Sequence, residues 1–148
     1  MIEEYDFLGS AYFKTIPEEL ELSLCSIQSQ TLQPKNVVIV CDGPVGIKIE
    51  DTLSHFRNSL NLVIIKLDNN QGLGLALRKG LMFCTSPYVI RFDTDDYNLP
   101  YRAETLIKYI TKLDLDIVGS YIYEYTHNHK QSHSTRKVPL THKNINKI

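Results

Sequence analysis

The run Asn36-Val-Val-Ile-Val-Cys41, closed by Asp42-Gly43-Pro44, constrains the fold more than any other stretch of the chain. Its almost unbroken apolar character is that of a central parallel strand covered on both faces, and Asp-Gly-Pro is a sharp turn signal. Parallel strands need crossover connections, and the flanking sequence alternates short strand-like runs with longer helix-like ones. A first, imperfect strand is expected over 5–12. Pro17-Glu18-Glu19 then opens a helix, because proline fits the first turn and acids favour the positive end of the helix dipole. Leu20, Leu22, Leu24 and Ile27 carry apolar groups along it to about Gln30. A helix over 47–59 leads to a strand over 62–67, and Asn69-Asn70-Gln71-Gly72 breaks the chain. A helix from Leu73 to Met82, a strand over 88–92, a helix from Pro100 to about Lys112 and a fifth strand over 116–125 complete a layered α/β pattern.

With 148 residues, 43% of them hydrophobic, the chain can bury one real core. Its 16 basic and 17 acidic side chains nearly cancel, so no long-range positive field draws it to nucleic acid, and a charged ligand must be met by a local site. The apolar runs Val37 to Cys41 and Leu60 to Ile65 fall far short of the roughly 20 residues of a membrane-spanning helix. The start, Met1-Ile-Glu-Glu-Tyr5, lacks a signal-peptide pattern, and a cytoplasmic protein is expected. Cys25, Cys41 and Cys84 form no Cys-x-x-Cys pair and read as buried, reduced thiols. Residues 1–125 are expected to form one α/β domain. Residues 126–148 are expected to be a polar tail or the broken edge of a longer protein. Within that tail His127, His129 and His133 have a spacing compatible with zinc, although solvated histidines are the favoured reading in so polar a segment.

In an open parallel sheet, ligands bind at the carboxyl ends of the strands near a switch in strand order. Three features fall at such ends: Ser10-Ala11-Tyr12, Asp42-Gly43 and Asp93-Thr94-Asp95-Asp96. Three carboxylates within four residues repel one another unless a cation sits among them. Oxygen donors at this spacing suit Mg²⁺ or Mn²⁺, which share their remaining positions with diphosphate oxygens and water. The plainer alternative is that one or two of these acids cap the turn before Pro100. Asp42 offers an acceptor for a uracil imide N–H or a ribose hydroxyl, against the alternative of a simple Asp-Gly turn. Gly72 and Gly74 fit neither the dinucleotide nor the Walker glycine pattern and are read as letting a helix start close to the ligand.

Taken together, these residues resemble a family 2 glycosyltransferase of the GT-A type, in particular the bacterial capsule and O-antigen branch. The resemblance rests on Ser26-Ile-Gln-Ser-Gln-Thr31, similar to the family's S-I-x-x-Q-T signature, and on Val38-Ile-Val-Cys-Asp-Gly-Pro44. It rests also on Asn70-Gln-Gly-Leu-Gly-Leu-Ala-Leu-Arg-Lys-Gly80 and on Phe92-Asp-Thr-Asp-Asp96 followed by Leu99-Pro-Tyr-Arg102. It implies a Rossmann-like nucleotide-sugar-binding domain with a mostly parallel central sheet flanked by helices. It implies an inverting transfer from a UDP-sugar, held through Mn²⁺ or Mg²⁺, to a glycan or lipid-linked acceptor in surface polysaccharide synthesis at the inner face of the membrane. By position, Ser10, Ala11 and Tyr12 line the base pocket, Asp42 contacts uracil, and Gly72 and Thr94 lie against the donor. Asp93 contacts the nucleotide and supports the metal, Asp95 is the metal ligand of the D-x-D motif, and Asp96 contacts the sugar or supports the metal. Cys41 and Leu77 depart from the family pattern, which carries an acid and an arginine there. The family's catalytic base lies well downstream, and is expected beyond Ile148. A sugar nucleotidyltransferase is the rival enzyme class, but residues 11–17 lack the glycine-rich loop it needs. A degenerate nucleotide-sugar-binding domain without activity is the other alternative.

Overall fold

The computed structural model describes residues 3–125 and 132–138, and the chain divides into two compact units, Met1–Ile107 and Lys108–Ile148. The sequence-based division after Tyr125 falls inside the second unit.

The first unit is built on four strands, β1 (Tyr5–Ala11), β2 (Asn36–Cys41), β3 (Leu62–Lys66) and β4 (Tyr88–Arg91), in the spatial order β3-β2-β1-β4 with every pairing parallel. Helices α1 (Pro17–Gln28), α2 (Ile47–Phe56) and α3 (Leu73–Leu81) are the crossovers, and α4 (Arg102–Leu113) begins in this unit. Element ends differ from the sequence expectation by one to three residues, as fraying helix ends do. As expected for a strand covered on both faces, Val37, Val38, Ile39, Val40 and Cys41 are all buried. α1 packs beside α2, whereas α3 packs across β1 and β2. The small residues Ala76 and Gly80, one turn apart on α3, let it approach the sheet. A side chain at Gly80 would meet Leu8 and Val40 at 2.6 and 2.7 Å.

Gly9, an odd residue for a strand interior, has a packing reason. A methyl group there would lie 2.6 Å from the Phe92 ring, which itself stands edge-on to Phe7 at a centroid distance of 5.8 Å. Asp6 is the other departure from an apolar strand. Its buried carboxylate accepts hydrogen bonds from Asn36 N and Nδ2, Thr85 N, and Ser86 N and Oγ, tying β1 to the start of β2 and to the turn before β4. Burial would raise its pKa, but the Ser86 and Thr85 amides with the Asn36 and Ser86 side chains outweigh that and hold it below the ordinary carboxylate value.

In the second unit, β5 (Ile122–Tyr125) pairs antiparallel with β6 (Ser132–Arg136), with a bulge between Glu124 and Tyr125. The expected fifth strand is therefore shorter, and it belongs to a separate two-stranded sheet. Residues 116–121 carry a β-prone Ile-Val pair but find no strand partner among the described residues, and Ile117 is 86% exposed. Strand propensity depends on a neighbour to pair with. Glu124 accepts from Ser134 and pairs with Arg136 across the hairpin. His127 and His129 lie outside the described residues. Among the described residues no helix is long and apolar enough to cross a membrane. Cys41 is buried as expected, but Cys25 is exposed.

Candidate active site

The strand order places the expected features side by side. β2, β1 and β4 are neighbours, so Asp42, Ser10 to Tyr12 and Asp93 to Asp96 follow consecutive strand ends along one edge of the sheet. From β1 the chain moves outward to β2 and β3, then returns to the opposite side of β1 as β4, so the order reverses between β1 and β4. Such a reversal splays the crossover connections apart and opens a crevice at the carboxyl ends. The edge is braced by Asp42 N donating to Ala11 O at 2.8 Å and Phe92 N to Leu8 O at 3.0 Å.

Ala11 is fully buried, Ser10 is half-buried and donates its hydroxyl to Val40 O at 3.1 Å, and Tyr12 is exposed, its ring edge-on to Phe13. Of these, Tyr12 presents the side chain most open to a ligand. Asp42 is buried, and its two carboxylate oxygens accept from Gln71 N at 2.7 Å and Gly72 N at 2.9 Å. It thus satisfies free backbone amides at the mouth of α3 from a distant strand end, the work of a helix cap. Gly72 precedes α3 with a positive φ of 88°, and Gly43 has φ 86° and no room for a side chain, because Asn70 N would lie 2.7 Å from it. The Asp-Gly pair therefore fixes the loop 69–72 against β2. Cys41, where the family carries an acid, is buried, and burial pushes its thiol pKa up.

In the acidic run the four residues differ sharply in environment. Asp93 pairs with Arg91 at 2.5 Å, both side chains being about half exposed, and Thr94 is buried. Asp95 and Asp96 are exposed, and a turn forms as Asp96 N donates to Asp93 O at 3.1 Å. Desolvation first, and then the charges of Asp93 and Asp95, push Asp96 above the ordinary carboxylate value, against the opposing pull of Arg102 and Arg91. That mutual repulsion is the electrostatic condition a cation relieves. Among the described residues no three carboxylate, imidazole or thiolate groups converge to enclose a metal ion. The run fits a cation that takes one or two protein oxygens and draws the rest from a diphosphate and water, the habit of Mg²⁺.

The sequence reading missed the residues beneath this loop. From α1 and the turn after it, Ser23 Oγ donates to Asp93 O at 3.2 Å, and Ser26 Oγ accepts from Asn98 N at 3.0 Å and Asn98 Nδ2 at 3.2 Å. Gln30 Nε2 donates to Leu99 O at 2.9 Å and Asn98 O at 3.3 Å, its Oε1 accepts from Ala103 N at 3.0 Å, and Thr31 N donates to Pro100 O at 2.9 Å. Arg102 donates to Asn98 Oδ1 at 2.8 Å and to Arg91 O at 3.1 Å. Polar residues at helical spacing, Ser23, Ser26 and Gln30, were the available signal, since only a buried polar partner explains them on the same side as Leu20, Leu24 and Ile27.

Residues 10–147 match the profile described as "Glycosyl transferase family 2". The chain belongs to that family. It is 37% identical over 145 residues to the amylovoran biosynthesis glycosyltransferase AmsE of Erwinia amylovora, covering 97% of this chain and 54% of the relative. It is 34% identical over 137 residues to the UDP-Gal:alpha-D-GlcNAc-diphosphoundecaprenol beta-1,3-galactosyltransferase of Escherichia coli, covering 92% of this chain and 50% of that one. The chain thus spans about half the length of these relatives. Among solved structures, S. aureus TarS 1-349 in complex with UDP-GlcNAc superimposes with a TM-score of 0.63 at 24% identity, over 74% of this chain and 31% of TarS. A mannosyltransferase from Pyrobaculum calidifontis in complex with GDP-Man and Mn²⁺ gives 0.62 at 19% identity, over 88% and 37%. The family 2 chain has the GT-A fold of these neighbours.

Proposed function

We propose that the carboxyl edge formed by β2, β1 and β4 binds a UDP-sugar through a divalent metal, and that the whole protein transfers the sugar to a glycan or lipid-linked acceptor in surface polysaccharide synthesis. The observation that carries the reading is the placement of the acidic run at the strand-order reversal, beside Ser10 to Tyr12 and Asp42. Family membership and the activity named for the Escherichia coli relative support the choice of a UDP-sugar and a lipid-linked acceptor.

In this reading Tyr12 and Ser10 flank the base, and Asp42 offers it the second lone pairs of oxygens already anchored by Gln71 and Gly72. Asp95, exposed at the strand end, would be the protein ligand of Mn²⁺ or Mg²⁺, with Asp93 supporting it beside the diphosphate and Asp96 facing the sugar. The acceptor hydroxyl loses its proton to a base and its oxygen bonds to the anomeric carbon from the side opposite the diphosphate. The C–O bond to the diphosphate breaks, its electron pair leaves with UDP, and the configuration inverts. The metal ion, when bound, neutralises charge on the departing diphosphate. Calorimetric titration of UDP with Mn²⁺ and with EDTA tests the reading. Tighter binding with Mn²⁺ is expected, and equal affinity in both would favour a degenerate domain.

A further inference from the structure

We infer that Gln30, with Asn98 as its partner, is a positioning residue for the acidic run, and that holding this loop is what the Ser26-Ile-Gln-Ser-Gln-Thr31 stretch does. The inference rests on the reading of Asp93 to Asp96 as the metal–diphosphate site. Ser23, Ser26 and Gln30 are three and four residues apart, so they line one side of α1 and its exit, and their partners Asp93, Asn98 and Leu99 follow in the same order along the loop. Thr31 N continues the series to Pro100 O, and Thr31 Oγ1 donates to Glu104 at 2.6 Å. The chain from β4 to α4 is thereby pinned before and after Asp95 and Asp96, while those two acids stay open to solvent.

Gln30 is the centre of this arrangement. It is 3% exposed, its amide nitrogen serves the carbonyls of Ser26, Asn98 and Leu99, and its oxygen takes the amide of Ala103 in the first turn of α4. Both ends of one planar amide are therefore used, and no apolar or charged residue of that size meets the same demands. Asn98, also 3% exposed, passes the constraint on. Its side chain bonds Ser26 Oγ, and its oxygen takes Arg102 Nη1, whose other nitrogen holds the carbonyl of Arg91 at the end of β4. A loop locked in this way presents its carboxylates without the entropy cost of ordering them when the metal arrives.

The test measures how much Mn²⁺ tightens UDP binding, as the ratio of Kd without and with metal, in the wild type, Gln30→Met and Asn98→Ala. The electron paramagnetic resonance spectrum of Mn²⁺ in the UDP complex is recorded alongside. Folding of each variant is checked by circular dichroism. Asn98→Ala, which keeps Gln30 intact, carries the test should Gln30→Met fail to fold. The metal-dependent gain is expected to fall by about 10- to 100-fold, the usual effect of removing an outer partner of a metal site, with metal-free UDP affinity unchanged and the Mn²⁺ spectrum altered. A gain and spectrum equal to wild type in folded variants, even with a lowered Tm, would overturn the positioning role. So would an equal loss of affinity with and without metal. A wild type that shows no Mn²⁺-dependent gain would instead overturn the site reading, and this inference with it.

Discussion

Replacing Asp6 with asparagine should cost the fold several kcal/mol at neutral pH and less in acid. The wild-type carboxylate accepts five hydrogen bonds, three at Oδ1 from Asn36 N, Asn36 Nδ2 and Ser86 Oγ, and two at Oδ2 from the amides of Thr85 and Ser86. An asparagine keeps one oxygen, best placed against the three donors, and turns its NH₂ toward the two amides. Both amides then lose a charge-assisted partner in a buried site. At about 1–3 kcal/mol for each of the two unsatisfied amides, the cost is about 2–6 kcal/mol, a large share of a domain stability of about 5–15 kcal/mol. The pH dependence has a definite sign. The folded pKa lies below the ordinary value of 3.8, so the stabilisation is complete above that value and is lost as pH falls through it toward the folded pKa. Urea unfolding followed by circular dichroism at pH 7 and at pH 3 measures both effects. A difference under about 0.5 kcal/mol at pH 7, the scale of an ordinary surface substitution, would refute the reasoning. A gap that stays as wide at pH 3 would refute it too.

Asp42→Asn sets an NH₂ against the amide of Gln71 or Gly72, and should lower stability by about 1–3 kcal/mol in a thermal melt; a neutral effect would show that the carboxylate does not anchor the loop. Gly9→Ala forces a methyl group against the Phe92 ring and should cost about 1–3 kcal/mol by chemical denaturation. Asp95→Ala removes an exposed carboxylate, so its stability should stay within about 0.5 kcal/mol of wild type while the Mn²⁺-dependent part of UDP binding disappears. Retention of that binding would remove Asp95 from the site.

The sheet was legible because its strands are short, apolar and punctuated by turn residues, with β2 the clearest case. The three strand-end features were legible too, although their adjacency depends on the β3-β2-β1-β4 order, which pairs residues distant in sequence. The expected strand over 116–125 began too early, because Ile117 and Val118 have strand propensity without a strand beside them among the described residues. Asp42 was read from its position at a strand end, but its bonds to Gln71 and Gly72 join residues nearly thirty positions apart and leave no local trace. The same holds for Asp6, whose partners are all distant in sequence, whereas Ser26 and Gln30 bond both near neighbours and the distant Asn98 and Leu99, so their helical spacing was the one local sign of that network.

The most direct measurement of the central claim is the position of manganese in crystals soaked with UDP and Mn²⁺. The account predicts an anomalous peak within coordinating distance of an Asp95 carboxylate oxygen and of the diphosphate, with the uracil ring against Tyr12 at the end of β1. UDP bound with no manganese near Asp93 to Asp96, or bound away from the ends of β1 and β4, would contradict it.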